Sequence, residues 1–311
     1  MNTAILGLGH YLPEEVERVG VRRPIELEPI GPSKLAARAL EPALANAGIT
    51  VADVDFIVFA TMTPDVTFPG AGCFFQNEIG CDTTGALDIR AQCAGFLYGL
   101  SIADQFILTS SYNRIVIAAA EVHSSGLDYS DHGADVARLF GDGAGVAVVG
   151  AGSGSARIHA VTLHSDGRRH RDFWVEYPAS RQHPVRVTVD NVRQRLHFPT
   201  LNPKIVHEFA LSAMPAVVTE TLGKCGLTED RIDHWILSHV FPETAFAVAD
   251  KMKLPAARVD VPSSRHGHVS AGALPIALSE AAEAGHIGPG AVVGLAACGA
   301  GFAWGAAIVE L

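Results

Sequence analysis

Apolar positions along this chain recur with two periods, and stretches of the two alternate. Ile5-Leu6-Gly7-Leu8 predicts a first strand. Pro32–Gly48 carries Leu35, Ala39, Leu40, Ala43, Leu44 and Ala47 at helical spacing, stops at a glycine, and contains Pro42, which predicts a kink. The run from Asp55 to Ala60 is almost wholly apolar, as a parallel strand covered on both faces must be. A loop entering a helix is predicted over Phe68–Ile79, and an extended lead over Gly85-Ala86-Leu87. The stretch Asp88–Leu108 follows, in which Cys93 opens a helical run that is apolar almost all round, through Phe96, Leu97, Leu100, Ile102, Ala103, Phe106 and Ile107. A helix with no polar face is a buried helix. A strand at Arg114–Ala120 and a glycine-rich turn feeding a strand at Phe140–Val149 close the first half.

The second half repeats the order. It reads strand Ile158–His164, long helix Ile205–Leu222, strand Trp235–His239 and a helix from about Pro242. Helix Ala271–Ala284, strand Ala291–Ala297, turn Gly299–Gly301 and strand Phe302–Glu310 follow. Both halves end in a glycine-rich turn and a hydrophobic strand, FGDGAGVAVVG and ACGAGFAWGAAIVEL. The pattern predicts an α/β protein built from a duplicated unit, residues 1–152 and 153–311, divided near AGSGS. FGDGAG lacks the following helix that a nucleotide-binding turn needs, which disfavours a nucleotide site there.

Composition narrows the function. The 311 residues are 48% hydrophobic and 18% charged, enough for a large core and too ordered for a disordered chain. No apolar stretch is long enough to span a bilayer, and MNTAILGLGHYLP lacks the features of a signal peptide. Five cysteines without C-x-x-C spacing speak against a disulfide framework or a zinc knuckle and point to a reducing, cytoplasmic setting. No metal or other cofactor is expected. A net charge of −10 disfavours nucleic acid and anionic membranes as partners. The charge is uneven. Between Arg168 and Arg195, seven arginines face three carboxylates, a net +4 that leaves −14 elsewhere. Such a run is either a solvated loop or a docking face for an acidic partner.

Cys93 sits at the start of the central helical run. There the helix dipole and free backbone N–H groups favour thiolate, the nucleophilic form. The alternative is a small buried apolar residue, the common fate of a free cysteine. His239 ends a strand, and His268 lies just before a helix. A distant cysteine and histidine that meet in the fold are what thiol catalysis requires.

Taken together, DIRAQCAGFLYGLSIADQ, FGDGAGVAVV, RHGHVSAG and GAGFAWGAAIVEL resemble the β-ketoacyl-ACP synthase III family of the thiolase superfamily, in register over nearly the whole chain. The resemblance implies the thiolase fold, five layers (αβαβα), and a homodimer. It implies Cys93 as acyl acceptor and His239 as the first catalytic histidine. His268 stands in the place of the family's asparagine, a Cys-His-His set like that of elongating ketosynthases. It further implies an oxyanion hole from the backbone N–H groups of Cys93 and Ala300. Phe68 would close the partner's acyl pocket, and Cys298 would replace a bulky aromatic beside the site.

Some matches are missing. The tryptophan segment that stacks on the CoA adenine is absent, Ala134 replaces an arginine, and Thr244 replaces a basic residue of the carrier-docking helix. Arg18 is the remaining CoA contact. Arg168, Arg169 and Arg171 are the candidate carrier-docking residues. The expected activity is acyl transfer to Cys93 followed by decarboxylative Claisen condensation with a malonyl-type thioester, with acyl carrier protein as partner. The alternative is an acyltransferase of the same fold that passes the acyl group to an oxygen or nitrogen acceptor.

Overall fold

The computed structural model describes residues 2–311. The first half holds β1 (Thr3–Tyr11), β2 (Glu15–Arg18), β3 (Val21–Pro24), α1 (Pro32–Ala47), β4 (Phe56–Ala60), α2 (Ala71–Ile79) and β5 (Gly85–Ile89). It continues with α3 (Gly95–Leu108), β6 (Arg114–Glu121), α4 (Ala134–Ala137) and β7 (Gly143–Ala151). The second half holds β8 (Arg157–Ser165), β9 (Phe173–Trp174), α5 (Val189–Arg193), β10 (Thr200–Leu201), α6 (Pro203–Cys225) and β11 (His234–Ser238). Then come α7 (Pro242–Lys251), β12 (Val259–Asp260), α8 (Ser263–His266), α9 (Ala273–Glu283), β13 (Val292–Gly299) and β14 (Ala303–Glu310).

Two five-stranded sheets carry the molecule, in the orders β1-β7-β6-β4-β5 and β8-β14-β13-β11-β12. In each, the fourth strand of that order, β4 or β11, pairs in parallel with both neighbours, and the remaining pairs are antiparallel. Strand for strand, the second sheet repeats the first. The apolar runs explain the layering. Along β4, Ile57 and Phe59 face Leu35, Ala39 and Phe75 of α1 and α2. Val58 and Ala60 face the opposite way, into a central cluster with Phe96, Leu97 and Leu100 of α3 and Leu274 and Leu278 of α9. The same cluster takes Leu295 and Ala297 of β13, so α3 and α9 form a middle layer shared by both sheets. Trp235 and Leu237 point outward against Met214 and Val218 of α6 and Val248 of α7. The order of layers is therefore helix, sheet, helix, sheet, helix.

Three local features refine the expectations. Helix α1 runs unbroken through Pro42, starting on Pro32 and ending at Gly48 in the left-handed conformation. The chain between β1 and α1 folds into a hairpin, β2 with β3, across Val19-Gly20, both at positive φ (46° and 77°). Strand β5 is apolar as expected, yet Gly85 to Asp88 are exposed, because β5 is the open edge of its sheet.

Candidate active site

The site forms where the two halves meet, at the N-terminal ends of α3 and α9. Strand β5 leads to it. The Asp88 carboxylate accepts the N–H groups of Ala71 (2.6 Å) and Gly72 (2.8 Å), which ties the strand end to α2. Gln92 follows at φ 46°, a conformation that costs a non-glycine residue energy and recurs at functional sites. Cys93 comes next, 1% exposed, in a short 3-10 turn ahead of α3.

Burial overturns the expectation of a resting thiolate. It pushes the Cys93 thiol up to about 12, helped by the nearby Glu121 carboxylate. The Ser270 hydroxyl and the backbone N–H groups of Cys93 and Ala300 act in the opposite direction, since they stabilise negative charge on sulfur. The desolvated helix start thus loses to the apolar surroundings.

His268 lies directly on the thiol, its Nε2 2.9 Å from Cys93 Sγ. It is fully buried and neutral, because burial holds its pKa well below the usual imidazole value. The His268 N–H donates to the Leu139 carbonyl at 2.7 Å, and Phe140 forms a bridge to His268. The FGDGAG turn therefore serves to hold this histidine. The Nδ1 of His268 is buried without a partner.

His239 is wired differently. It directly follows β11, and its Nδ1 lies 3.1 Å from the Phe241 N and 3.2 Å from the Phe241 carbonyl oxygen. That carbonyl already accepts from Thr244 and Ala245 at the start of α7. The amide can only donate, so Nδ1 is the acceptor. Burial holds the ring neutral, with a pKa near 4, which leaves its one proton on Nε2 as a fixed donor. A charge on His239 would further depress the pKa of His268, so the two rings lie near one another.

Three further residues join the site that the sequence reading did not single out. His123 donates to or accepts from the Ser270 hydroxyl through Nε2 at 3.0 Å, packs 4.6 Å from Phe140, and burial lowers its pKa to about 3. Ser270, at φ 44°, links His123 to Cys93. Glu121 ends β6, wholly buried, and accepts the hydroxyls of Thr61 and Thr63 and the N–H groups of Met62 and Thr63. Burial raises its carboxyl to about 7. A charged residue closing the apolar run RIVIAAA was the available signal, since strand ends carry sites in α/β folds.

The remaining expected residues divide. Ala300 is 8% exposed, its N–H faces Cys93, and it lines a cavity of about 570 Å³ with His123, Phe140 and Phe173. Phe68 is 81% exposed and does not line that cavity in its own chain. Cys298 packs in the outer cluster of Trp235, Phe209 and Trp304, near enough to Cys93 that a charge on that sulfur raises the Cys298 pKa, and it does not line the cavity of Ala300. Thr244, on α7, is wholly buried and bonds His207 Nδ1 at 2.8 Å.

Arg18 stands on the β2 edge, beside a separate cleft with Tyr129 and Ser124. Arg168 pairs with Asp166 (2.6 Å), Arg169 with Asp172 (3.6 Å), and Arg171 stacks over Trp174 (5.5 Å). Among the described residues, no group of three or more His, Cys, Asp or Glu is placed to hold a metal ion, and no helix is long and apolar enough to cross a membrane.

Known proteins match this arrangement. Residues 87–167 match the family profile of 3-oxoacyl-[acyl-carrier-protein] synthase III, and residues 222–311 match the profile of its C-terminal part. The β-ketoacyl-[acyl-carrier-protein] synthase III of Rhizorhabdus wittichii is 38% identical over 299 residues, covering 95% of this chain and 89% of the relative. The crystal structure of 3-oxoacyl-[acyl-carrier-protein] synthase III from Aquifex aeolicus superposes with a TM-score of 0.87 at 28% identity, over 99% of this chain and all of that one. The priming β-ketosynthase of the R1128 polyketide biosynthetic pathway superposes with a TM-score of 0.86 at 25% identity, over 99% of this chain and 96% of that one.

Proposed function

Because the chain belongs to the 3-oxoacyl-[acyl-carrier-protein] synthase III family and has its thiolase fold, we propose that it is a condensing enzyme working through an acyl-Cys93 intermediate. It transfers acyl groups between thioesters, and acyl carrier protein is the partner the family relation supports. The observation that carries the reading is the 2.9 Å contact between Cys93 Sγ and His268 Nε2, next to the fixed donor on His239.

In the first half-reaction His268 Nε2 takes the thiol proton as sulfur attacks the thioester carbonyl. A thiol held near 12 needs such a base at the moment of attack. The N–H groups of Cys93 and Ala300 face the sulfur and would receive the oxyanion. Collapse expels the donor's thiol with the proton from His268 and leaves acyl-Cys93. In the second half-reaction a malonyl-type thioester loses CO₂. The enolate oxygen accepts from His239 Nε2–H and from His268 in the tautomer with its proton on Nε2, the form it can take once there is no S–H left to accept. The enolate carbon attacks the acyl carbonyl, a C–C bond forms, the C–S bond breaks, and the Cys93 thiolate released takes up one proton from solvent.

The test is CO₂ release from malonyl-carrier protein in the presence of acyl-loaded enzyme. Stoichiometric CO₂ with a 3-oxoacyl product supports condensation. Turnover of acyl-Cys93 on an oxygen or nitrogen acceptor without CO₂ would instead establish the acyltransferase chemistry.

A further inference from the structure

The cavity beside the site has walls that a hydrocarbon chain does not need. Phe140 and Phe173 make it apolar near Ala300, but Arg90, Arg186, His123 and His197 also line it, and no aspartate or glutamate does. In the arginine-rich segment, Arg168, Arg169, Arg181, Arg193 and Arg195 each pair with a carboxylate. Arg171 lies over Trp174. Arg186 is the member left with neither kind of contact among the described residues, and it is the one that reaches the cavity. Arg90 lies three residues before Cys93 and likewise has no carboxylate within ion-pair distance. The Nδ1 of His197 is buried with no partner. His123 brings a polar ring, bonded to Ser270, to the wall nearest the nucleophile.

Resting on the acyl-Cys93 reading above, we propose that the acyl group loaded onto Cys93 carries a carboxylate at its far end, bound by Arg186 and Arg90 in this cavity. Both arginines are exposed at the cavity wall, and a saturated acyl chain would give their guanidinium groups no partner. A carboxylate returns charge-assisted, two-point hydrogen bonds to a planar guanidinium. The carboxylate of a malonyl extender and the phosphate of a carrier arm share part of this chemistry. The experiment therefore leaves both out.

Glutaryl and pentanoyl thioesters of N-acetylcysteamine have equal chain length and lack phosphate. Their rates of covalent loading onto Cys93 are read by intact-protein mass spectrometry, with no malonyl donor present. Glutaryl is expected to load at least about tenfold faster, the effect of one charge-assisted hydrogen bond. Arg186→Met should erase that preference while leaving pentanoyl loading unchanged or faster. Arg186→Lys should retain part of it, and Arg90→Met should weaken it. Pentanoyl loading as fast as glutaryl in the native protein overturns the inference, as does an Arg186→Met variant that slows both donors alike. Loading of neither donor overturns the acyl-Cys93 reading, and this inference with it.

Discussion

The two halves build the same bend and use it for different ends. Strand β5 runs into Gln92 at φ 46°, a 3-10 turn and α3, and strand β12 leads to Ser270 at φ 44°, a 3-10 turn and α9. The bends touch, since a side chain on Gly95 would meet Ala271 at 3.1 Å. After the strained residue the first half places Cys93, and the second places Ala271. Two residues before it the second half places His268, and the first places Arg90. The difference teaches that the strained frame belongs to the fold, and the chemistry to which side of the bend holds a reactive side chain. A like contrast separates the equivalent strands β6 and β13 of the two sheets, which end in the buried carboxylate of Glu121 and in Gly299.

The largest test removes the one reactive group at the second position. Cys93→Ala should abolish acyl loading, and peptide mapping should find acyl on Cys93 and none on Cys73, Cys81, Cys225 or Cys298. Acyl on any of those four would undo the assignment.

Next comes the contrast between the two imidazoles. His268→Ala should slow loading by about 10²–10³, the usual contribution of a general base. His239→Ala should leave loading near normal and slow malonyl decarboxylation by about 10²–10³, the cost of one oxyanion donor. His268→Asn should recover decarboxylation but not loading. Equal loading in both alanine variants would show that His268 does not act as the base.

A smaller effect separates the strand ends. Burial raises the Glu121 carboxyl to about 7, above the unfolded value near 4.5. Between those pH values the folded protein holds a proton that the unfolded chain has released, so stability falls as pH rises through the window. The full fall is about 3 kcal/mol. Glu121→Gln should flatten the dependence of melting temperature on pH between about 4.5 and 7. An unchanged slope would mean that Glu121 stays ionised when buried.

The smallest effect is expected in the arginine-rich loop. Arg168 and Arg169 are exposed and already paired with Asp166 and Asp172. Reversing both to Glu should change rates with a carrier-bound donor by about twofold or less. A tenfold loss confined to carrier-bound donors, steeper at low salt, would restore the segment as a docking face.

Much of this was legible in the chain because buried strands and helices carry their environment in their own periodicity. The runs around Ile57, Val116, Trp235 and Leu295 name their elements to within a residue or two. The chemistry of Cys93, His239 and His268 was legible only through motif resemblance, since no local pattern marks a histidine as a base. His123 and Ser270 sit in turns without periodicity, and their meeting depends on packing between halves. The protonation of Cys93 is not legible in the chain, because a helix start is a local feature, while desolvation depends on everything folded around it. The outward turn of Cys298 follows from strand alternation, which fixes a face only once the register is known.

Gly299 packs so closely on the nucleophile that a side chain there would stand 2.5 Å from Cys93 Sγ. With His268 on another side of the sulfur, the thioester has one open direction of approach. If its oxygen must also reach the N–H groups of Cys93 and Ala300, and its chain must enter the cavity, only one face of the planar carbonyl can meet the sulfur. The tetrahedral adduct then forms with a single handedness. Mirror-image covalent inhibitors should accordingly differ in how fast they capture this thiol.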